Sequence, residues 1–305
     1  MSLINRCKLS LATVIALIII LVSVALTILN AFVIKNESNT AALNSAEVLF
    51  KEITATVTGK INLITSPIST LTYTTALTFN KLSGEAKESD LYKHLYFMKS
   101  VIDNNNNLMS AYIGYENGYF YQVFSVRGNK AILDAYKAPS DTNYIDRAIT
   151  NGRDGKLQQR WRFFNEKLEF ISDRLDHEFK YDPRTRPWYI NARQAGDTIF
   201  TAPYIFSSSR LPGITCARVL SDGGGVFGAD VSLAQLGDML AAQKVSEHGL
   251  LWILDKTGKI VALPGLSVVN VKSDDLKLPD ASAAADARVR TVAQHMKNSR
   301  SKSVV

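Results

Sequence analysis

An α+β fold joined to a membrane-spanning helix follows from three features of the 305-residue sequence. Leu9–Ile34 holds no charged residue and is dominated by Leu, Ile, Val and Ala; at about 1.5 Å per residue it exceeds the roughly 30 Å of bilayer hydrocarbon. After it, Val48, Ile53, Val57, Ile61, Ile64, Ile68 and Leu71 recur at spacings of three to five, the stripe of one helix face. From Met109 onward the period shortens. Segments rich in aromatic and β-branched residues, separated by turn residues, then predict antiparallel strands.

The apolar segment sets the topology. Arg6 and Lys8 precede it, so the positive-inside bias places residues 1–8 in the cytoplasm and the rest outside, although Lys35 reduces the asymmetry. A cleaved signal peptide is the competing reading; its apolar core is usually only about 7–15 residues long. The net charge of +7 is spread along the chain and no basic run alternates with aromatics, which argues against a nucleic-acid binder. Of the two cysteines, Cys7 lies at the cytoplasmic edge and Cys216 far outside, so no intramolecular disulfide is expected.

The post-membrane stripe predicts a long helix from about Lys35 to Leu82. Its apolar face has two uses: burial against its own domain, or pairing with the same helix of a second subunit. Ser83 and Gly84 interrupt it, and Leu91, Leu95, Met98 and Ile102 mark a second helix that stops at the four asparagines Asn104–Asn107. Met109–Tyr115 and Tyr119–Val126 flank Glu116-Asn117-Gly118, a strong hairpin signal. Trp161–Phe164, Leu168–Ser172, Ala202–Phe206, Ile214–Leu220 and Val226–Val231 are the further strands expected. A helix follows Ser232 to about Lys244, and Gly249–Leu254 with Lys259–Leu263 predicts another hairpin across Asp255-Lys256-Thr257-Gly258.

The densest recognition chemistry lies in Tyr181-Asp-Pro-Arg-Thr-Arg-Pro-Trp-Tyr189, which packs two guanidiniums, an indole and two phenols into one turn-forming run. Pro183 and Pro187 push Asp182 and Arg186 out of helical geometry, and Pro187 suits the first turn of a helix that Gly196 closes. Arg186 then stands at a helix entrance, a position suited to a carboxylate or other anion. Asp230, flanked by apolar residues in a strand, is costly to bury without an ammonium or a protein donor. Against this stand structural readings: Arg184 and Arg186 as ion-pair partners of Asp182 and Asp197, and Trp188 as plain core.

The Asp-Pro-Arg-x-Arg-Pro-Trp-Tyr run resembles the signature of the double Cache family, the extracytoplasmic sensing domains of bacterial receptors. The resemblance covers about Lys35 to Gly265 and implies PAS-like antiparallel sheet lobes: a membrane-distal lobe over 35–245 and the start of a membrane-proximal lobe over 246–266. In amino-acid-binding members the carboxylate is held by an Arg and a Trp separated by one residue, while a downstream Asp and tyrosines hold the amino group. By that resemblance the ligand-binding residues are Tyr181, Arg186, Trp188, Tyr189, Asn191, Tyr204 and Asp230. Asn191 stands where many amino-acid binders have Asp, which leaves the ligand class wider: an amino acid or a related amine or carboxylate. The phrase Leu211-Pro212-Gly213-Ile214-Thr215 is most similar to sensors attached to adenylate or guanylate cyclases.

Other chemistry is not signalled. His94, His177, His248 and His295 have no metal-ligand spacing, Gly223–Gly225 precedes a strand instead of a helix, and neither a Gly-x-Ser-x-Gly nor a His-Glu-x-x-His motif occurs. No catalytic residue, metal or cofactor is expected, so the chain reads as a sensor and not an enzyme. From 267 to 305 the sequence is polar and Ala-rich, which predicts a tail, disordered in part, with the second lobe unfinished and no output domain. The alternative to a sensor is an anchored structural or interaction protein with an empty Cache-like fold.

Overall fold

The computed structural model describes residues 11–79, 88–126, 128–152, 154–206, 212–243, 249–255, 257–264 and 278–298. The chain divides into two units, one ending at Gly59 and the other running from Lys60 to Val304. Helix α1 (Leu11–Thr78) contributes to both. In the first unit its side chains from Leu21 to Ile34 are all exposed, as an apolar segment that faces lipid requires, and the helix is long and apolar enough to cross a bilayer. Val48, expected on the buried stripe, is 66% exposed. The stripe is buried only farther on, in the second unit, where Ile68, Thr72, Thr75 and Ala76 lie against the sheet. Leu82, the expected helix end, lies outside the described residues, as does the Ser83-Gly84 break.

Helix α2 (Glu88–Asp103) buries Leu95, Met98 and Ile102 completely. Its stop has a visible cause: the side-chain amides of Asn104 and Asn105 donate to the backbone carbonyls of Ser100 and Val101, satisfying last-turn acceptors. Strands β1 (Leu108–Tyr115) and β2 (Phe120–Ser125) form the expected hairpin. Gly118 holds φ 86° at its turn, and Asn117 Oδ1 accepts the Tyr119 N–H.

Two elements lie where no sequence signal was read: helix α3 (Lys130–Tyr136) and strand β3 (Tyr144–Asn151). Strand β3 carries Asp146 and Arg147 at its centre, and both are buried. Adjacent opposite charges conceal a strand from any hydrophobic count, yet here each has its own partners on opposite faces. Strand β4 (Leu157–Phe164) begins four residues before the expected Trp161. Strand β5 (Phe170–Asp176) returns along it.

A 3-10 turn (Pro183–Thr185) and helix α4 (Pro187–Ala195) follow, with Asp182 and Arg186 extended and Gly196 left-handed at φ 67°, as the prolines and glycine predicted. The expected strand Ala202–Phe206 is reduced to the two-residue β7 (Tyr204–Ile205), preceded by β6 (Ile199–Phe200). Both pair with β8 (Pro212–Val219), which pairs with β9 (Gly225–Ser232). The sheet order is β5-β4-β3-β2-β1-β9-β8-β6, with β7 also on β8, and every pairing is antiparallel. The architecture is α+β.

After helix α5 (Ala234–Ala241) a separate two-stranded sheet joins β10 (Ile253–Leu254) to β11 (Ile260–Ala262). The stretch expected as a polar tail instead carries a 3-10 turn (Ala281–Ala283) and helix α6 (Ala287–Asn298). Val289 and Ala293 are buried in a small cluster with Ile260 and Ala281. The buried face of α6 is Val289 and Ala293 among polar residues, so its apolar stripe was easy to overlook.

The main sheet is buried on both faces. One, with Ala111, Ile113, Val123 and Ala229, packs against Ile64, Ile68 and Leu71 of α1 and against α2. The other, with Tyr112, Phe120 and Ile149, packs against Trp188, Tyr189 and Ala192 of α4. The close approach of α4 needs glycine in β1: a Cβ on Gly114 would lie 2.8 Å from both the Trp188 ring and Pro183.

Candidate functional site

On the α4 face of the sheet, Tyr112, Gln122, Tyr181, Arg186, Trp188, Tyr204, Phe206 and Asp230 enclose a small cavity. Register explains the convergence. Asp230, near the C-terminal end of β9, lies directly opposite Ser110 of β1 and Thr215 of β8. Tyr112 is two residues beyond Ser110, hence on the same face, and opposite Gln122 of β2.

Asp230 is 4% exposed and receives three hydroxyl donors: Ser110 Oγ to Oδ2 at 2.8 Å, and the Tyr112 and Thr215 hydroxyls to Oδ1 at 2.6 and 2.7 Å. A second tier supports them. The Tyr204 hydroxyl lies 2.6 Å from Thr215 Oγ1, and the Gln122 amide donates to Ser110 Oγ at 3.3 Å. Because Thr215 gives its hydrogen to Asp230, Tyr204 is the donor in its own pair. All these donors are neutral, so they solvate the carboxylate without cancelling its charge. Burial therefore lifts the Asp230 carboxyl to about 6, despite the Tyr112, Thr215 and Ser110 hydrogen bonds and the Arg186 charge that oppose the shift. The protein donors expected for Asp230 are thus these hydroxyls, and among the described residues no cationic side chain is hydrogen-bonded to it.

Arg186 caps α4 with its backbone and makes no side-chain capping bond. The structural alternative does not hold for it among the described residues: Asp182 pairs with Arg184 at 2.7 Å, and Asp197 pairs with Arg218. Its guanidinium carbon stands 5.8 Å from the centre of the Tyr181 ring. Burial raises the Tyr181 phenol to about 12, against the opposing charges of Arg147 and Arg186. Trp188 is 2% exposed and stacks edge-on against Tyr112, with ring centres 4.8 Å apart. It is both core and cavity wall, so its two readings coexist.

Of the seven residues expected in the site, five converge: Tyr181, Arg186, Trp188, Tyr204 and Asp230. Tyr189 and Asn191 do not line the cavity. Tyr189 is buried in the cluster between α4 and the sheet, near Arg193 and Arg184, and Asn191 is exposed on the outer side of α4. Helical geometry gives the reason, since successive side chains turn by about 100°: Trp188 reaches the cavity, Tyr189 packs beside it away from the cavity, and Asn191 is turned to solvent. Sequence reasoning missed Tyr112, Gln122 and Phe206. Ser110 and Tyr112 stood two apart in a recognised strand, but only the pairing of β1 with β9 brings them to Asp230. The space enclosed is about 20 Å³, room for roughly one water.

No family model matches the chain. The sequence is 39% identical over 83 residues to the methyl-accepting chemotaxis protein McpB of Bacillus subtilis (strain 168), covering 27% of this chain and 12% of that protein. It is 36% identical over 92 residues to the methyl-accepting chemotaxis protein PscA of Pseudomonas syringae pv. tomato, covering 29% and 15%. Adenylate cyclase 1 of Rhizobium meliloti (strain 1021) is 25% identical over 163 residues, 53% of this chain and 24% of the cyclase. The chain thus matches less than a quarter of the length of these relatives. The expected likeness to cyclase-linked sensors is weak: the cyclase is less identical than the chemotaxis proteins, which make up most of the relatives. Among solved structures, the ligand-binding domain of Campylobacter jejuni chemoreceptor Tlp3 in complex with 4-methylisoleucine aligns with TM-score 0.46 and 16% identity, covering 76% of this chain and 73% of that one. The ligand-binding domain of Pseudomonas fluorescens chemoreceptor CtaA in complex with L-serine aligns with TM-score 0.40 and 17% identity, covering 75% and 73%. The chain is similar in sequence to bacterial chemotaxis receptors over part of their length.

Proposed function

We propose that this chain is the membrane-anchored, extracytoplasmic sensing part of a bacterial receptor, of double Cache type, and that it binds a small molecule carrying an ammonium and a carboxylate. The observation that carries this reading is Asp230: a fully buried carboxylate served by three neutral hydroxyls, in a cavity whose other charged wall is Arg186. A buried charge left without a counter-ion costs several kcal/mol, and a ligand ammonium would remove that cost while Arg186 receives the carboxylate. An amino acid has both groups. The ligands of the Tlp3 and CtaA domains, among them isoleucine, valine, alanine and serine, are the first probes to try.

The domain layout belongs to the same proposal. Residues 35–245 form the membrane-distal lobe and 246–266 begin the membrane-proximal one. The N-terminus is cytoplasmic, the sensor faces the periplasm or exterior, and the long helix pairs with its copy in a homodimer. Leu43 and Val48, exposed on the part of α1 before Gly59, are apolar positions open to such a pairing. The receptor's output is of the chemotaxis or cyclase kind found in the relatives.

One observation favours the second reading, an anchored protein with a Cache-like fold that binds nothing: the cavity of about 20 Å³ is too small for an amino acid. On the sensor reading Arg186, which has no carboxylate partner among the described residues, swings aside to admit the ligand. Titration calorimetry of the full chain in lipid nanodiscs separates the two. Micromolar binding of at least one of L-alanine, L-isoleucine or L-serine supports the sensor, whereas no heat with amino acids, amines or carboxylates supports the empty fold.

A further inference from the structure

Arg147, in the middle of β3, is 7% exposed and was assigned no role by the sequence reading. It occupies a cross-strand row, Trp161–Arg147–Gln122–Tyr112, that runs over β4, β3, β2 and β1. Residues directly opposite share a face of the sheet. Arg147 therefore projects on the side of Gln122 and Tyr112, both of which line the cavity.

Its guanidinium is held from several directions. Nε donates to Gln159 Oε1 at 2.7 Å, and the Gln159 amide donates to Asp176 Oδ2 at 3.0 Å. The guanidinium carbon lies 4.0 Å from the centre of the Tyr181 ring, 4.9 Å from that of Trp161 and 5.5 Å from that of Phe120. Tyr181 has Arg186 at 5.8 Å as well, so two guanidiniums flank the phenol that forms part of the cavity wall. Burial lowers the Arg147 pKa from its ordinary value, and the Arg186 charge acts in the same direction. A Met or Leu would fill this position without such a penalty. A charge kept at that cost, on a row that ends in the cavity, has a use there.

We propose that Arg147 is a positioning residue of the ligand site, fixing the Tyr181 ring from behind and adding a second positive charge to the side of the pocket where Arg186 receives an anionic group. The proposal rests on the ligand-binding reading and deepens it. The planar guanidinium matters as well as the charge, because stacking on a phenol face uses the plane and a lysine ammonium has none.

The test uses the full chain in nanodiscs, with Arg147→Met, Arg147→Lys, Tyr181→Leu and the double variant Arg147→Met/Tyr181→Leu. Tyr181 is replaced in a parallel set by 3-fluorotyrosine. The expected fluorine spectrum is one narrow line in the parent, shifted and broadened in Arg147→Met without any ligand added. With L-alanine or L-isoleucine, whichever the parent binds, Arg147→Met should lose at least fivefold in affinity and Arg147→Lys less. In the Tyr181→Leu background Arg147→Met should cost nothing further, since a residue acting through Tyr181 has nothing left to act on. An unchanged fluorine line in folded Arg147→Met, or losses that multiply in the double variant, overturns the proposal. If the parent binds neither amino acid, the amino-acid reading fails by itself and the fluorine line alone decides Arg147. Should Arg147→Met not fold, Arg147→Lys carries the same comparison.

Discussion

Asp146 and Asp230 sit on opposite faces of one sheet, each in a strand interior and each cut off from solvent. Asp146 faces α1 and α2. It accepts from Arg162 Nε at 2.9 and 3.1 Å, from a second Arg162 nitrogen, and from the Tyr121 hydroxyl at 2.8 Å. Asp230 faces α4 and, among the described residues, its carboxylate accepts from the hydroxyls of Ser110, Tyr112 and Thr215. Burial pushes both carboxyls up from their ordinary range, but Asp146 has a cation in bonding contact and Asp230 does not. On the proposed reading, the difference separates a charge that completes the fold from one that a ligand's cation would complete. A buried pair is finished when the chain folds, whereas a buried single charge is destabilising until something binds it.

That contrast can be broken by substitution. The largest effect is expected for Asp146→Ala, which strands the Arg162 guanidinium in the core and should cost about 3–5 kcal/mol in urea unfolding. A loss below about 1 kcal/mol would mean that Arg162 finds another acceptor. Asp230→Asn should do the reverse. The folded carboxyl titrates near 6, above its ordinary 3.8. Its penalty is therefore absent below the unfolded value, grows as pH rises from about 4 to 6, and is complete above that. Replacing it should stabilise the fold by on the order of 1–3 kcal/mol at pH 7.5 and by little at pH 4. A destabilised variant at pH 7.5 would show that the charge is already balanced. Arg186→Ala should weaken amino-acid binding at least tenfold, about 1.4 kcal/mol, while the melting temperature barely moves. Asn191→Ala, on the exposed side of α4, should change affinity by less than twofold; a tenfold loss would bring Asn191 back into the site.

The two faces were also unequally legible in the sequence. Prolines, glycine and aromatics in Tyr181–Gly196 fixed the turn, the helix and its end, because each of those residue types restricts the backbone locally. The Asn117-Gly118 hairpin was readable for the same reason. Strand β3 was not, since Asp146 and Arg147 break its hydrophobic run and only Arg162 of the neighbouring strand and Tyr181 of the loop before α4 show why both charges are tolerated. Five of the proposed site residues come from positions that a motif can mark. Ser110 and Tyr112 reach Asp230 through the β1–β9 register, which pairs residues more than a hundred positions apart, and Gln122 joins them across the β1–β2 hairpin. Helix α6 was hidden by composition, its face being Val289 and Ala293 among polar residues.

The central claim is that Asp230 is an unmatched charge kept for a cationic group of a ligand, and the pH dependence of binding tests it most directly. L-alanine, or whichever of the named amino acids binds, should be titrated into the full chain from pH 5 to 8. The account predicts affinity that rises with pH through a midpoint near 6, as the Asp230 carboxyl ionises, and a loss of both binding and pH dependence in Asp230→Asn. Equal affinity at pH 5 and pH 8, or full binding by Asp230→Asn, would contradict it.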